Sequence, residues 1–141
     1  MRGLDAIVDT NVFASARNPQ ERGFGASRRL LDRIDRGEFQ AALLTVTIAE
    51  LRAGFSPEEI PTVWKPMLRH FLTSPNYRVE SVGPEIAGEA CERRASSRMT
   101  LPDCLIIATG HVLGVSLLVT HDKESVRSQN LLEVKTPLEL R

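Results

Sequence analysis

Two short apolar runs, AIV at residues 6–8 and VSLLV at 115–119, constrain this chain more than any other feature. Neither shows the polar alternation of a strand with one wet face. A short run that is apolar nearly throughout fits a strand buried on both sides, as in a parallel sheet covered by helices. A third run, Ala41–Leu44, has the same character, and Tyr77–Val82 and Leu132–Val134 are weaker strand candidates. Between these runs the apolar residues change period. Ala26, Leu30, Leu31 and Ile34 share one helical face; so do Ile60, Trp64, Met67, Leu68 and Phe71, and again Ile86, Ala87, Ala90, Cys91 and Ala95. Residues 102–113 (PDCLIIATGHVL) are apolar nearly all round, which predicts a helix packed inside the molecule. Strands that alternate with helices imply crossover connections. The reading is α/β: a three-layer α/β/α sandwich around a mainly parallel, twisted sheet.

A length of 141 residues suits a single domain spanning 1–141. A chain of this size buries roughly 68–70% of the surface that its unfolded form exposes, so a real core is expected. Hydrophobic residues make up 42% and charged residues 26%, and no apolar stretch approaches a membrane span. Met1 leads at once into Arg2, Asp5 and a strand, so no signal peptide is expected, and a cytoplasmic protein is. The two cysteines, Cys91 and Cys104, sit in helical patterns with no CxxC pairing and read as buried thiols. Lys plus Arg equals Asp plus Glu, at 18 each, so any affinity for nucleic acid has to come from a local basic patch.

In open α/β sheets the ligand crevice lies beyond the carboxyl ends of the strands. Four acids are expected there. Asp9 follows AIV, Asp122 follows SLLVT, Glu50 opens the helix after AALLT, and Asp103 opens the buried helix. Each has a structural explanation. TIAE (47–50) and TLPD (100–103) both match the capping-box pattern, and Pro102 suits a first helical position. Asp9 and Asp122 suit turns or caps. A cap contributes only ~1 kcal/mol, however. Two like charges about 4 Å apart repel by roughly 4 kcal/mol at an effective dielectric near 20. Several carboxylates gathered on one edge must protonate or share a cation. With no Cys or His clustered among them, oxygen ligands favour Mg²⁺ or Mn²⁺ over zinc. Such a cluster suits phosphodiester hydrolysis, because a bound ion clamps phosphate oxygens and activates water. Thr10, Asn11 and Thr120 would add neutral hydrogen bonds at the same edge.

The motifs VDTN, TIAELRAG, LPDCLIIATG and LLVTHD, in this order from Asp5 to about Lys135, resemble those of PIN-domain ribonucleases, most of all the VapC-type toxins of prokaryotic toxin–antitoxin pairs. The resemblance implies a PIN-like fold and a Mg²⁺- or Mn²⁺-dependent endoribonuclease. Asp9, Glu50, Asp103 and Asp122 would form its acidic site, with Asp9, Asp103 and Asp122 as metal ligands. Thr120 matches the hydroxyl residue upstream of the last acid, and Asn11 the polar residue after the first. Glu124 stands where a further acid often lies, although the usual Asp-Phe reads Glu-Ser here. The resemblance also implies a homodimer and a cognate antitoxin that occludes the acidic pocket. The alternatives are a PIN nuclease for RNA maturation or decay, a PIN fold that binds RNA without cutting it, and a receiver-like signalling module with an acidic Mg²⁺ pocket. Against the last, the first strand ends in a lone Asp9 where receivers present an acidic pair.

Other signals are weaker. Arg29, Arg33 and Arg36 share a helical face, but the interleaved Asp32 and Asp35 favour a solvated face with local ion pairs. Arg52, two residues after Glu50, is the better candidate for an RNA contact. GFGAS (23–27) lacks the spacing of a phosphate loop and reads as a mobile loop before a helix. His121 reads as a solvent-exposed loop histidine, Cys104 as core, and Trp64 and Phe71 as part of an apolar stripe.

Overall fold

The computed structural model describes residues 3–123 and 132–140. Along the chain run β1 (Ala6–Val8), α1 (Thr10–Ser15), α2 (Phe24–Asp35), β2 (Ala41–Leu44) and α3 (Thr45–Ala53). A π-helical turn (Ile60–Trp64) leads into α4 (Lys65–Thr73), β3 (Tyr77–Glu80), α5 (Pro84–Ser96) and α6 (Leu101–Leu113). β4 (Leu117–Val119), β5 (Glu133–Lys135) and a 3-10 turn (Pro137–Glu139) complete the described elements. The strands form one sheet in the order β3-β2-β1-β4-β5, and every pairing is parallel.

The sheet is covered on both faces, and strand alternation sorts the core in two. Ala6, Val8, Ala41, Leu43 and Val119 join Val12, Phe13, Leu30, Ile34, Leu51 and Phe71, which come from α1, α2, α3 and α4. Ile7, Ala42, Leu44 and Leu118 face the other way, onto Ile86 and Ala90 of α5 and Cys104, Ile106 and Ile107 of α6. Each central strand is therefore apolar throughout because both of its faces are dry. The expected three-layer sandwich is observed. Trp64 and Phe71 lie in the first core and Cys104 in the second, as their patterns suggest.

Several expectations need local correction. Val115 is buried but precedes its strand, because its N–H closes α6 on the Gly110 carbonyl at 2.8 Å. β3 stops at Glu80, short of Val82, and β5 is shifted by one residue from Leu132–Val134. Cys91 is exposed on α5, not buried. α2 begins at Phe24, so GFGAS supplies a first helical turn and not a loop. The TIAE capping box does not form. α3 starts directly after β2 with Leu44 at its cap position, so Glu50 comes well after the first turn. In TLPD the capping reading holds in part, since the Thr100 side chain accepts a bond from the Asp103 N–H at 3.4 Å. The solvated face expected at Arg29, Arg33 and Arg36 carries ion pairs with other partners: Arg33 and Arg36 pair with Glu38 at 3.9 and 3.0 Å, while the interleaved Asp32 pairs with Arg28 at 3.4 Å and Asp35 with His70 at 2.8 Å. No helix among the described residues is long and apolar enough to cross a membrane.

Sheet order also fixes where a crevice opens. β1 connects toward β2 on one side, while its other neighbour, β4, comes from late in the chain. The strand order reverses between them, which is where open parallel sheets bind ligands. Pairing of Ile7 with Leu118 and Val8 with Val119 ends the two strands level. Asp9 and Thr120 consequently leave the sheet side by side.

The close seat of α6 gives a test of this packing. A Cβ added at Gly110 would lie 2.9 Å from the Val115 carbonyl oxygen, a backbone atom that cannot step aside. Gly110→Ala therefore lowers stability by about 1–3 kcal/mol of overpacking, despite the helix propensity that alanine adds. Urea denaturation measures the change, and an unaltered midpoint would contradict the packing.

Candidate active site

The site is built from the tips of β1 and β4. Asp9 caps α1, and its Oδ1 accepts the Thr10 N–H at 2.8 Å. Its Oδ2 accepts the Thr120 hydroxyl at 2.9 Å and lies 3.5 Å from Asn11 Nδ2. Thr120 is 1% exposed, so its oxygen has no water to turn to. It accepts from Asn11 Nδ2 at 2.9 Å and from the Asp122 N–H at 3.1 Å while donating to Asp9. One hydroxyl thus uses its donor and both lone pairs, which leaves a single rotamer. Asn11 Oδ1 accepts the His121 N–H at 3.0 Å and ties the loop after β4 to α1.

The other acids approach from neighbouring elements. The Thr10 hydroxyl donates to Glu50 Oε1 at 2.7 Å, so α1 holds the α3 carboxylate toward the same edge. A cleft of about 290 Å³ is lined by Asp9, Thr10, Asn11, Thr47, Glu50 and Asp103, among others. Asp122 does not line that cleft and is exposed, but its charge reaches Asp9. Burial raises the pKa of the Asp9 carboxyl. The Thr120 and Thr10 bonds oppose that rise, and the charges of Glu50 and Asp122 reinforce it. The half-buried Asp9 is the focus of the site, and its like-charged neighbours disfavour its ionised form.

This donor set suits a hard divalent cation, since the side chains lining the cleft offer oxygen and neither sulfur nor imidazole. Among the described residues, no three His, Cys, Asp or Glu side chains stand close enough to hold one ion together. Mg²⁺ does not need three; one or two carboxylates completed by water and substrate phosphate suffice. Arg52 is exposed in the last turn of α3 and is not among the residues lining the cleft. Glu124 lies outside the described residues.

Sequence reasoning missed one part of the site. His121 is not a free loop side chain. Its Nε2 bonds Ser27 Oγ at 2.7 Å and Ser15 Oγ at 3.1 Å, and the two hydroxyls lie 2.6 Å apart. Ser27 is fully buried and Ser15 nearly so. This cluster fastens the loop after β4 to α1 and α2. Burial lowers the imidazole pKa, against a weaker upward pull from Glu21, which favours the neutral ring. Gly23 makes the room, since a Cβ there would sit 2.4 Å from His121 Cε1. The only sequence signal was a pair of serines facing a core, each with a hydroxyl to satisfy.

The parallel sheet thus gathers Asp9, Glu50 and Asp103 around one cleft beside its switch point. The PIN-domain family model matches residues 6–128, and the chain belongs to that family. A search of curated proteins finds no match. Solved structures share the fold. A toxin–antitoxin complex from Klebsiella pneumoniae superposes with a TM-score of 0.69 at 19% identity, over 96% of this chain and 100% of that one. VapBC2 from Rickettsia felis, bound to a promoter DNA fragment, gives 0.68 at 16% identity, over 94% and 98%. VapC20 of Mycobacterium tuberculosis, described as a toxin that cleaves the sarcin–ricin loop, gives 0.66 at 16%, over 89% and 95%. Family membership sets aside the receiver-like reading.

Two outcomes follow. The raised Asp9 pKa means that the folded protein binds a proton more tightly than the unfolded chain does. Its contribution to stability is therefore present at low pH and declines as pH rises from the unfolded value through the folded one. Measured by urea denaturation without metal, the stability of Asp9→Asn relative to wild type increases across that interval. A difference that stays flat with pH would contradict the shift. Gly23→Ala, by crowding the His121 ring, costs about 1–3 kcal/mol and broadens the Thr120 and His121 amide signals in NMR spectra, whereas Gly88→Ala, with open space around it, does not.

Proposed function

We propose that this protein is a Mg²⁺- or Mn²⁺-dependent endoribonuclease that acts as the toxin of a VapC-type toxin–antitoxin pair. One observation carries the reading. The central strand delivers a half-buried carboxylate, Asp9, to the switch point, and Thr120 from β4 fixes it beside a cleft shared with Glu50 and Asp103. Membership of the PIN family and the toxin neighbours support the assignment.

Asp9 and Asp103, which line the cleft, are the residues that would hold the ion, its shell completed by water and substrate phosphate, while Asp122 would add negative charge from outside the cleft. When bound, such an ion neutralises phosphate charge and lowers the pKa of a water molecule. The chain's own groups do the rest. Thr120 and the Thr10 amide hold both Asp9 oxygens in place before any ligand arrives, which is the preorganisation that a site needs. Asn11 locks Thr120 and the loop that carries Asp122. Thr10 aims Glu50, an exposed acid that can take a proton from the attacking water. Removing Thr120 would leave Asp9 free to turn toward solvent, so its hydroxyl matters as a positioning group.

The partners that follow are an RNA substrate, a second copy of this chain and an antitoxin covering the acidic cleft. The site of action is the cytoplasm. Two of the similar structures are described as complexes of toxin with antitoxin or with promoter DNA, which supports the pairing.

The direct test incubates purified protein with total RNA in Mg²⁺, in Mn²⁺ and in chelator, then maps the cut ends. Cleavage appears with either ion and stops with chelator. Asp9→Asn keeps the side chain's shape, and cleavage falls by more than about 100-fold while circular dichroism shows an intact fold. A folded Asp9→Asn protein that cuts at the wild-type rate would defeat the assignment.

A further inference from the structure

Beside the acidic cleft lies a second cavity, of about 520 Å³, between α1, the start of α2, the loop after β4 and the 3-10 turn. We propose that this cavity binds one unpaired nucleotide of the RNA strand, next to the phosphate that is cut. The proposal rests on the nuclease reading and assigns that site a substrate-specificity pocket.

Position is the first argument. Asn11 lines both the acidic cleft and this cavity, so one side chain separates them. A strand with a phosphate in the cleft can therefore lay an adjacent nucleotide over Asn11 into the cavity. Chemistry is the second. Ala14, Ala26 and Leu138 give apolar walls, with polar groups converging between them, the usual make-up of a small-ligand pocket. Leu138 is 73% exposed, which leaves an apolar surface at the rim for the face of a base. Single-stranded RNA is recognised by splayed bases placed against such surfaces.

Charge is the third argument. Arg22 and Arg29 both line the cavity, against one acid, Glu21. Neither arginine has an ion-pair partner among the described residues, while Arg28, Arg33 and Arg36 nearby on and after α2 are all paired. The Arg29 guanidinium leans back along the helix, with Nη1 3.4 Å from where a Cβ on Gly25 would be. Two cations without ion-pair partners among the described residues, beside a cleft that on the nuclease reading accepts a polyanion, fit phosphates on either side of the bound base.

The test has two arms. In the first, nucleoside 5′-monophosphates are titrated into metal-free protein and followed by amide NMR, with inorganic phosphate as the control. Shifts at Ala14, Ala26 and His121 that phosphate does not reproduce support the pocket. No shifts there overturn it and leave the cavity to a protein partner such as an antitoxin, and equal shifts with phosphate reduce it to an anion site. In the second arm, Arg22→Ala/Arg29→Ala raises KM for RNA cleavage about tenfold with a smaller effect on kcat, and Arg36→Ala changes neither. An unchanged KM overturns the substrate role. If wild-type protein cuts no RNA, the nuclease reading fails by itself, and the nucleotide titration still decides whether the cavity binds a nucleotide.

Discussion

A carboxylate held at the dry tip of a central strand is the constraint from which the rest of the site follows. Asp9 leaves the sheet between two buried strands, where water is scarce and an anion is disfavoured. The fold keeps it there with three donors: the Thr10 amide, the Thr120 hydroxyl and, at longer range, Asn11. These bonds only partly oppose the cost of burial, and the charges of Glu50 and Asp122 add to it. An ordinary helix cap would gain ~1 kcal/mol from such an aspartate without needing acids around it. On the proposed reading, the arrangement becomes favourable when a bound cation brings positive charge.

Register converts this local constraint into a site. β1 and β4 are far apart along the chain, yet their parallel pairing ends them level. A slip of one residue would turn Val119 away from its core and move Thr120 off Asp9. The apolar packing that fixes the register therefore also fixes the hydrogen bond between them. For the same reason Thr120 is nearly inaccessible while its bonding partner lines a cleft. The hydroxyl belongs to the core and the carboxylate to the edge.

How much of this could be read from residues alone depended on whether the signal was local. The apolar runs at Ala6–Val8 and Ala41–Leu44 gave both strands with correct bounds, because burial on both faces leaves no polar ambiguity. The convergence of Asp9, Glu50 and Asp103 on one cleft followed from sheet logic. TIAE misled because the spacing of a capping box says nothing of whether the helix has already begun, and here it begins at Thr45, straight from the strand. His121 was misread because its partners, Ser15 and Ser27, lie about a hundred residues earlier and declare themselves only once α1 and α2 pack together. Cys91 belongs to an apolar stripe that is wider than the face α5 buries.

Charge balance makes a final point about approach. The chain carries 18 basic and 18 acidic residues, so no net field draws a polyanion toward a cleft that is itself acidic. Attraction has to be local and offset from the carboxylates. On α2 most arginines are already committed, Arg28 to Asp32 and Arg33 to Glu38, and Arg36 just after the helix also pairs with Glu38. Pairs so exposed contribute little to stability, but they do neutralise their own surface. Arg22 and Arg29, without such partners among the described residues, fall on the side of Asn11 away from the acids. The fold thus places its anion-repelling and anion-attracting groups on opposite sides of one asparagine. On the proposed nuclease reading, a strand drawn by the arginines would be carried to the carboxylates, where a cation would have to offset their charge before a phosphate could stay.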